Sequence, residues 1–363
     1  MDNRKPKRMV WLDSVRGLAI LIVLTVHIIQ AVPKYHDAVS GCGKIGVWLL
    51  FLLTGFFTFR PYLIYDEKEK SRDIKNFMSE SSSGIKQYVI TSFRFYLKRM
   101  IRIYPAFFVV LVLSVVIGYL GVAEAVKNFL LVEGTGHFWT LPVEMKFYLI
   151  TPVFGLVFQV IRKKEYRGLL LVVTALLFSG LFFYKNCPEN SIQLGWYLPV
   201  LLFGGVLNCF ICNDHENLNE RTVSYGMAGI KPFMYDTAAV IIVLGFFLMV
   251  PGIRYLIFGI PVSRYLSDKY LYLSLLWMIF LFSLDRSEYI RPLLEKSRIL
   301  PFFGKISYSL YLVHYIVIQH LGSFMEDQKL KSLMALIISL ILSVILERTV
   351  ERPVMKLSKK LFR

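Results

Sequence analysis

Apolar residues in this chain come in runs of about twenty, separated by short polar or charged segments. Roughly twenty apolar residues in helical form cross a bilayer. Ten runs are long enough or nearly so: 10–32, 45–64, 104–122, 143–161, 168–184, 196–211, 233–250, 270–284, 302–320 and 331–349. Those at 196–211 and 270–284 are the shortest. The pattern predicts an all-α, polytopic integral membrane protein of about ten transmembrane helices, with residues 1–363 as one domain and no fused soluble domain. The segment 65–84 is polar and Ser-rich and reads as a cytoplasmic loop. After it the period changes to that of a surface helix. Phe93, Tyr96, Leu97, Met100, Ile101 and Tyr104 recur at three- and four-residue spacing, which is one apolar helical face. Arg94, Lys98, Arg99 and Arg102 gather away from it. Residues 65–102 are thus a cytoplasmic loop followed by an interfacial amphipathic helix, which feeds the third span at Pro105.

Composition agrees with a membrane protein: 56% of residues are hydrophobic and the mean hydropathy is +0.55. The first run carries Asp13, Arg16 and His27 and lacks a small-residue cleavage site, so it is not read as a removable signal. Charge changes the picture more. The chain has 42 Lys+Arg against 25 Asp+Glu. Such an excess can mean nucleic acid, but its distribution argues against that partner. If the ten runs alternate and both termini are cytoplasmic, most basic residues fall on the cytoplasmic side. That is the positive-inside bias, and it points to the inner (plasma) membrane. Segment 251–269 fits poorly: it is external by this scheme yet carries Arg254, Arg264 and Lys269. It is apolar enough to re-enter the membrane or lie on it. Cys209 and Cys212 form a lone C-x-x-C without the second pair a zinc site needs, and no metal is expected. Cys42 and Cys187 both fall outside, which permits a disulfide without establishing one.

Three constellations carry candidate chemistry. The first is in α-helical register: eleven residues separate Arg16 from His27, close to three turns, so they share a face ~16 Å apart. Asp13, one turn before Arg16, is placed to pair with it. Gly17 permits close backbone approach. Ionisable residues inside a membrane helix are costly and are functional candidates by default. Arg16 with Arg99 and Arg102 then reads as a grip on a phosphorylated ligand, with attachment to anionic lipid as the alternative for the latter two. The second is GTGHFWTLPVEMK. Pro142 suits a first helical turn, which sets Glu144 just inside the outer end of the fourth span, in the same leaflet as His27. A carboxylate that accepts one imidazole N–H leaves the other nitrogen basic, as a general base requires. His137 and Trp139 precede it. The third is Ser307, Tyr311 and His314, with Tyr308 at the edge of their shared face; these read as substrate-pocket residues.

Together these motifs resemble the acyltransferase-3 family of integral membrane acyltransferases. The family's R-x10-H matches Arg16 to His27, its R-x-x-R matches Arg99 to Arg102, its W-[ST]-L-x-V-E matches Trp139 to Glu144, and its G-x-x-S-Y-x-x-Y-L-x-H matches Gly304 to His314. The resemblance covers nearly the whole chain. It implies an O-acyltransferase that moves an acyl group, most often acetyl, from acyl-CoA to a hydroxyl of a carbohydrate or glycolipid acceptor. It further implies that His27 is catalytic, that Arg16, Arg99 and Arg102 serve the donor, and that Glu144 is needed for activity. Where many members have a second acidic residue after that Glu, this chain has Met145 and Lys146. Larger members carry a fused extracytoplasmic domain; here the sequence stops after the tenth span, so the expectation is action on the acceptor alone or hand-over to a separate protein. The alternative from another class is a transporter or exporter of a polysaccharide or glycolipid. Against it, no second copy of the R-x10-H pattern marks a repeated half.

Overall fold

The computed structural model describes residues 9–70, 81–161, 188–216, 232–260, 269–322 and 325–362. Among these the regular elements are all helical. In chain order they are α1 (Val10–Gln30), α2 (Gly43–Lys70), α3 (Ser81–Val116), α4 (Val122–Phe129), α5 (Thr140–Ile161), α6 (Leu194–Glu216), α7 (Pro232–Met249), α8 (Pro251–Phe258), α9 (Tyr270–Arg286), α10 (Ile290–Lys296), α11 (Ile299–Gly322), α12 (Gln328–Leu346) and α13 (Arg352–Leu361). Single 3-10 turns occupy Pro33–Tyr35, Asp37–Val39 and Gly136–Trp139, and a π-helical turn, Glu347–Glu351, joins α12 to α13.

Six helical segments among the described residues are long and apolar enough to cross a membrane, or seven if α7 and α8 are counted as one bent span. The sequence expected about ten. Two of its runs, 270–284 and 302–320, are helices α9 and α11 but are not among the six. Helix α9 has 17 residues. Helix α11 carries Ser307, Ser309 and His314, all buried. Its polar residues are turned into the protein, so its composition understates how well it is shielded. The run at 168–184, Cys187 and the Cys212 side chain lie outside the described residues. Cys42 is buried and free.

Two other boundaries differ from the sequence reading. Helix α3 runs unbroken through Pro105, so the interfacial helix and the third span are one element. A membrane helix tolerates an internal Pro because its neighbours shelter the freed carbonyl, and α2, α5 and α6 likewise contain Pro61, Pro152 and Pro199. At the other end of the chain, α8 turns 88° from α7 and stops at Gly259, whose φ of 65° is left-handed. The misfit segment, as far as 260, is therefore a short helix set at about a right angle to α7.

Exposed apolar residues form outward stripes: Phe108, Val112 and Val116 on α3, Leu149, Val153 and Leu156 on α5, Ile337, Ile341 and Ile345 on α12. Patches of this extent on helices mark a face for lipid. In lipid, helices gain nothing from hydrophobic exclusion between them; close packing and polar contacts hold them together. Glycine supplies the first at two crossings. A Cβ on Gly17 would lie 2.0 Å from the Leu300 carbonyl oxygen, and one on Gly304 would lie 2.0 Å from that of Asp13. Helices α1 and α11 therefore touch backbone to backbone. Gly55 and Gly204 do the same for α2 and α6, at 1.9 and 2.1 Å from Leu201 and Leu52 carbonyl oxygens. Polar contacts supply the second. Ser14 Oγ donates to the Leu294 carbonyl (2.7 Å), Asn208 Nδ2 to that of Phe56 (2.7 Å) and Trp277 Nε1 to that of Ile45 (3.0 Å).

Because each methyl would meet a carbonyl and not a mobile side chain, Gly17→Ala and Gly304→Ala should each destabilise by about 1–3 kcal/mol, measured as a lower Tm in detergent. The double variant should cost less than the sum, since one separation of the helices relieves both clashes.

Candidate active site

Two clusters lie one above the other in the helix bundle. The lower is a cavity of about 750 Å³, its mouth included, lined by Arg16, Thr54, Phe57, Arg99, Arg102, Thr140, Glu144, Tyr148, Ser307, Tyr308 and Tyr311 among others. Seven of these are residues singled out in the sequence, drawn from α1, α3, α5 and α11. Helical register explains the convergence: Arg99 and Arg102 are three apart on α3, Ser307 and Tyr311 four apart on α11.

The cavity holds three guanidinium groups and one carboxylate. Among the described residues, no ion pair joins that carboxylate to any of the three. The Glu144 carboxylate instead accepts from the Tyr148 hydroxyl (3.0 Å). Arg99 donates to Thr58 Oγ1 (3.2 Å) and lies over the rings of Tyr148 and Phe95, 4.9 and 5.3 Å from their centroids. Arg16 lies 5.0 Å from the Phe57 centroid. Asp13 is not on the cavity wall; its charge acts on Arg16 from one turn away. Cation–π contacts keep the Arg16 and Arg99 guanidinium groups in place without cancelling their charge. The site is thus pre-set for an anion. Arg94 and Lys98, on the outer side of α3, are exposed.

The upper cluster is three histidines. His27 Nδ1 lies 2.9 Å from His314 Nε2, with the ring centroids 5.1 Å apart and the planes 16° from parallel. His314 Nδ1 lies 2.9 Å from the carbonyl oxygens of both Leu310 and Tyr311. His137 Nε2 lies 2.9 Å from the Leu312 carbonyl oxygen. Its Nδ1 is buried and meets no partner. Tyr315 packs edge-on against His27 and tilted against His137. The Gly136–Trp139 turn, opened by Gly136 at φ 59°, delivers His137 inward and wedges Trp139 between Phe51 and Tyr197.

These positions alter several expectations. Glu144 and His27 are not in contact: Glu144 lines the lower cavity with the arginines and His27 pairs with His314 in the upper cluster. His137, Trp139 and His314 are absent from the cavity wall. The cavity wall includes Tyr311, Thr140 and Val47, each one turn from His314, His137 and Gly43 respectively, and the Tyr311 ring on that wall also lies 5.6 and 5.8 Å from the rings of His137 and His314. The Tyr311 hydroxyl donates to the His137 carbonyl (2.5 Å) and accepts from Thr140 Oγ1 (3.0 Å), which holds its ring in place. Tyr148, Thr58, Thr140 and Tyr315 were not singled out. Tyr148 had a legible signal, four residues after Glu144 and so on its face.

The acyltransferase domain model of acyltransferase-3 proteins matches residues 9–348. The chain belongs to this family. Curated Staphylococcus aureus proteins named "Putative O-acetyltransferase" are similar to it. Those of strains MSSA476 and MRSA252 are each 23% identical over 89% of this chain and 53% of their own length. That of strain COL is 26% identical over 53% of this chain and 31% of its own. The chain spans about half the length of the curated relatives it matches. No solved structure matches it. The family is one of transferases, which gives the transporter alternative no support. Among the described residues no group of side chains is fit to hold a metal.

Tyr311→Phe keeps the ring and removes its hydrogen bonds, so a loss of about 1–3 kcal/mol in stability is expected in thermal unfolding. Tyr311→Ala removes the partition, and His27 should then be carbethoxylated by diethylpyrocarbonate several times faster than in the parent protein.

Proposed function

We propose that the chain transfers an acyl group, acetyl by the family's habit, from acyl-CoA to a hydroxyl of a carbohydrate or glycolipid acceptor, with His27 as general base. The observation that supports this most directly is an arginine-lined cavity whose wall residue Tyr311 packs on His314, the partner of His27. Arg16, Arg99 and Arg102 hold the phosphates of CoA. The ~16 Å from Arg16 to His27 along α1 matches the reach of an extended pantetheine arm, which passes Tyr311 once that ring swings aside. Glu144 and Tyr148 serve the donor cavity and keep its arginines ordered.

His27 then takes the proton of the acceptor hydroxyl as the oxygen attacks the thioester carbonyl. The new C–O ester bond forms, the C–S bond breaks, and the proton passes from His27 to the departing CoA thiolate. Holding both reactants at one point makes the transfer effectively unimolecular. His137 Nδ1, buried with a free lone pair, accepts from a hydroxyl of the bound acceptor; Trp139 shapes the wall behind it. Ser307 and Tyr308, in the donor cavity, contact the arm. The charge bias supports ten spans with both termini cytoplasmic in the inner membrane. That arrangement lets a cytoplasmic donor serve an acceptor on the other face without CoA crossing.

The test is free-thiol release by the purified full chain in nanodiscs with acetyl-CoA and a panel of mono- and disaccharides. Thiol release that requires a saccharide supports direct transfer; a burst of thiol without one means an acyl-enzyme. His27→Ala should abolish transfer and leave CoA binding intact. Arg99→Ala with Arg102→Ala should raise the KM for acetyl-CoA at least tenfold. An unchanged KM would instead assign both arginines to lipid.

A further inference from the structure

The histidine cluster contains a base with no carboxylate behind it. Among the described residues no Asp or Glu is hydrogen-bonded to His27, His137 or His314. Yet a base of this kind works only if one ring nitrogen is committed to its proton and the other is left open. The hydrogen-bond directions settle which. His314 Nδ1 faces two carbonyl oxygens, and a carbonyl can only accept, so Nδ1 carries the proton. In the neutral ring Nε2 then carries the lone pair. That lone pair faces His27 Nδ1 at 2.9 Å, so His27 holds its proton on Nδ1. Its Nε2 is left as the open acceptor. A Cβ added to Gly43, at the start of α2, would lie 3.4 Å from that nitrogen; the missing side chain keeps the space before it clear.

We infer that His314 is the positioning residue of this site: it fixes the tautomer and the ring orientation of His27, so that the Nε2 lone pair points at the space beside Gly43 where the reacting hydroxyl sits. The inference rests on the reading of His27 as the base. It assigns His314 to a task that its place in the motif did not announce. A carboxylate would fix the same tautomer, but it would bring a negative charge into a dry interior at a cost in desolvation. A neutral imidazole does so without one. Helix α11 supplies the whole device, since the carbonyls that set His314 belong to its own preceding turn. Tyr315 on the same helix braces the His27 ring from another side.

The test reads the tautomer directly and needs no turnover. The full chain, with six histidines, is labelled with 15N-histidine and placed in nanodiscs. The His27 signals are identified by their loss in His27→Gln. The expected spectrum has His27 Nδ1 protonated and Nε2 bare. In His314→Phe the proton should move to Nε2 or divide between the two, and His314→Gln, whose amide oxygen reaches the place of Nε2, should restore the parent pattern. A second readout is kinetic. With acetyl-CoA and whichever saccharide supports turnover, His314→Phe should lower kcat about 100-fold with the donor KM unchanged, and His314→Gln should recover part of it. A parent protein with His27 protonated at Nε2 overturns the inference, as does an unchanged tautomer in His314→Phe. The parent spectrum decides even if His314→Phe fails to fold. Absence of turnover with every saccharide bears on the acyl-transfer reading and leaves the spectroscopic result standing.

Discussion

The contact on which the rest depends is the backbone meeting of α1 and α11 at Gly17 and Gly304. Ten residues beyond each glycine stands a histidine, His27 on one helix and His314 on the other. The two helices run parallel, so ten residues, ~15 Å of rise on each, keep their partners level. A hydrogen bond of 2.9 Å between two short side chains tolerates little extra separation. Ordinary helix pairs stand 8–10 Å apart, and larger residues at the crossing would push these two to the far end of that range or past it. The same crossing sets Arg16, next to Gly17, facing the cavity wall that α11 completes with Ser307 and Tyr311. Small residues at one level thus fix the geometry of polar residues three turns away.

The arginine cavity is costly to maintain. Three guanidinium groups lie together within the bundle, and their mutual repulsion is opposed by Glu144 on the wall and by the charges of Asp13 on Arg16 and Glu351 on Arg102. A fold selected for stability alone would pair them off. Here the partners of Arg16 and Arg99 are aromatic faces and a threonine hydroxyl, and Glu144 is engaged by Tyr148. The positive field is therefore left unspent until an anion enters, and no internal salt bridge has to break to admit it. Preorganised charge of this kind is worth most where water is excluded.

How much of this was legible in the sequence follows from whether the signal was local. Arg16 and His27, or Arg99 and Arg102, lie on one helix, and the helical repeat alone puts each pair on one face. Tyr148 was equally local and was passed over for want of charge. The pairing of His27 with His314 spans 287 positions and depends on which helices are neighbours, a matter that periodicity does not address. For that reason the base was matched with Glu144, the titratable group of the right depth, and His314 was read as a pocket residue. Counting spans by apolar length has a related limit. Helix α11 is less apolar than its neighbours because it carries the functional face, and a hydropathy criterion discounts a helix for the residues that make it useful.

The ring of Tyr311 has a consequence beyond chemistry. A protein that takes one reactant from each side of a membrane risks becoming a pore, and a leak of protons at this spot would drain the gradient that the cell uses to make ATP. In the proposed transfer the aromatic ring of Tyr311, tied to His137 and Thr140, is the septum that separates the two compartments while the site is empty. If the incoming arm displaces that septum, it also stops the gap it opens, so the membrane stays sealed through the whole cycle.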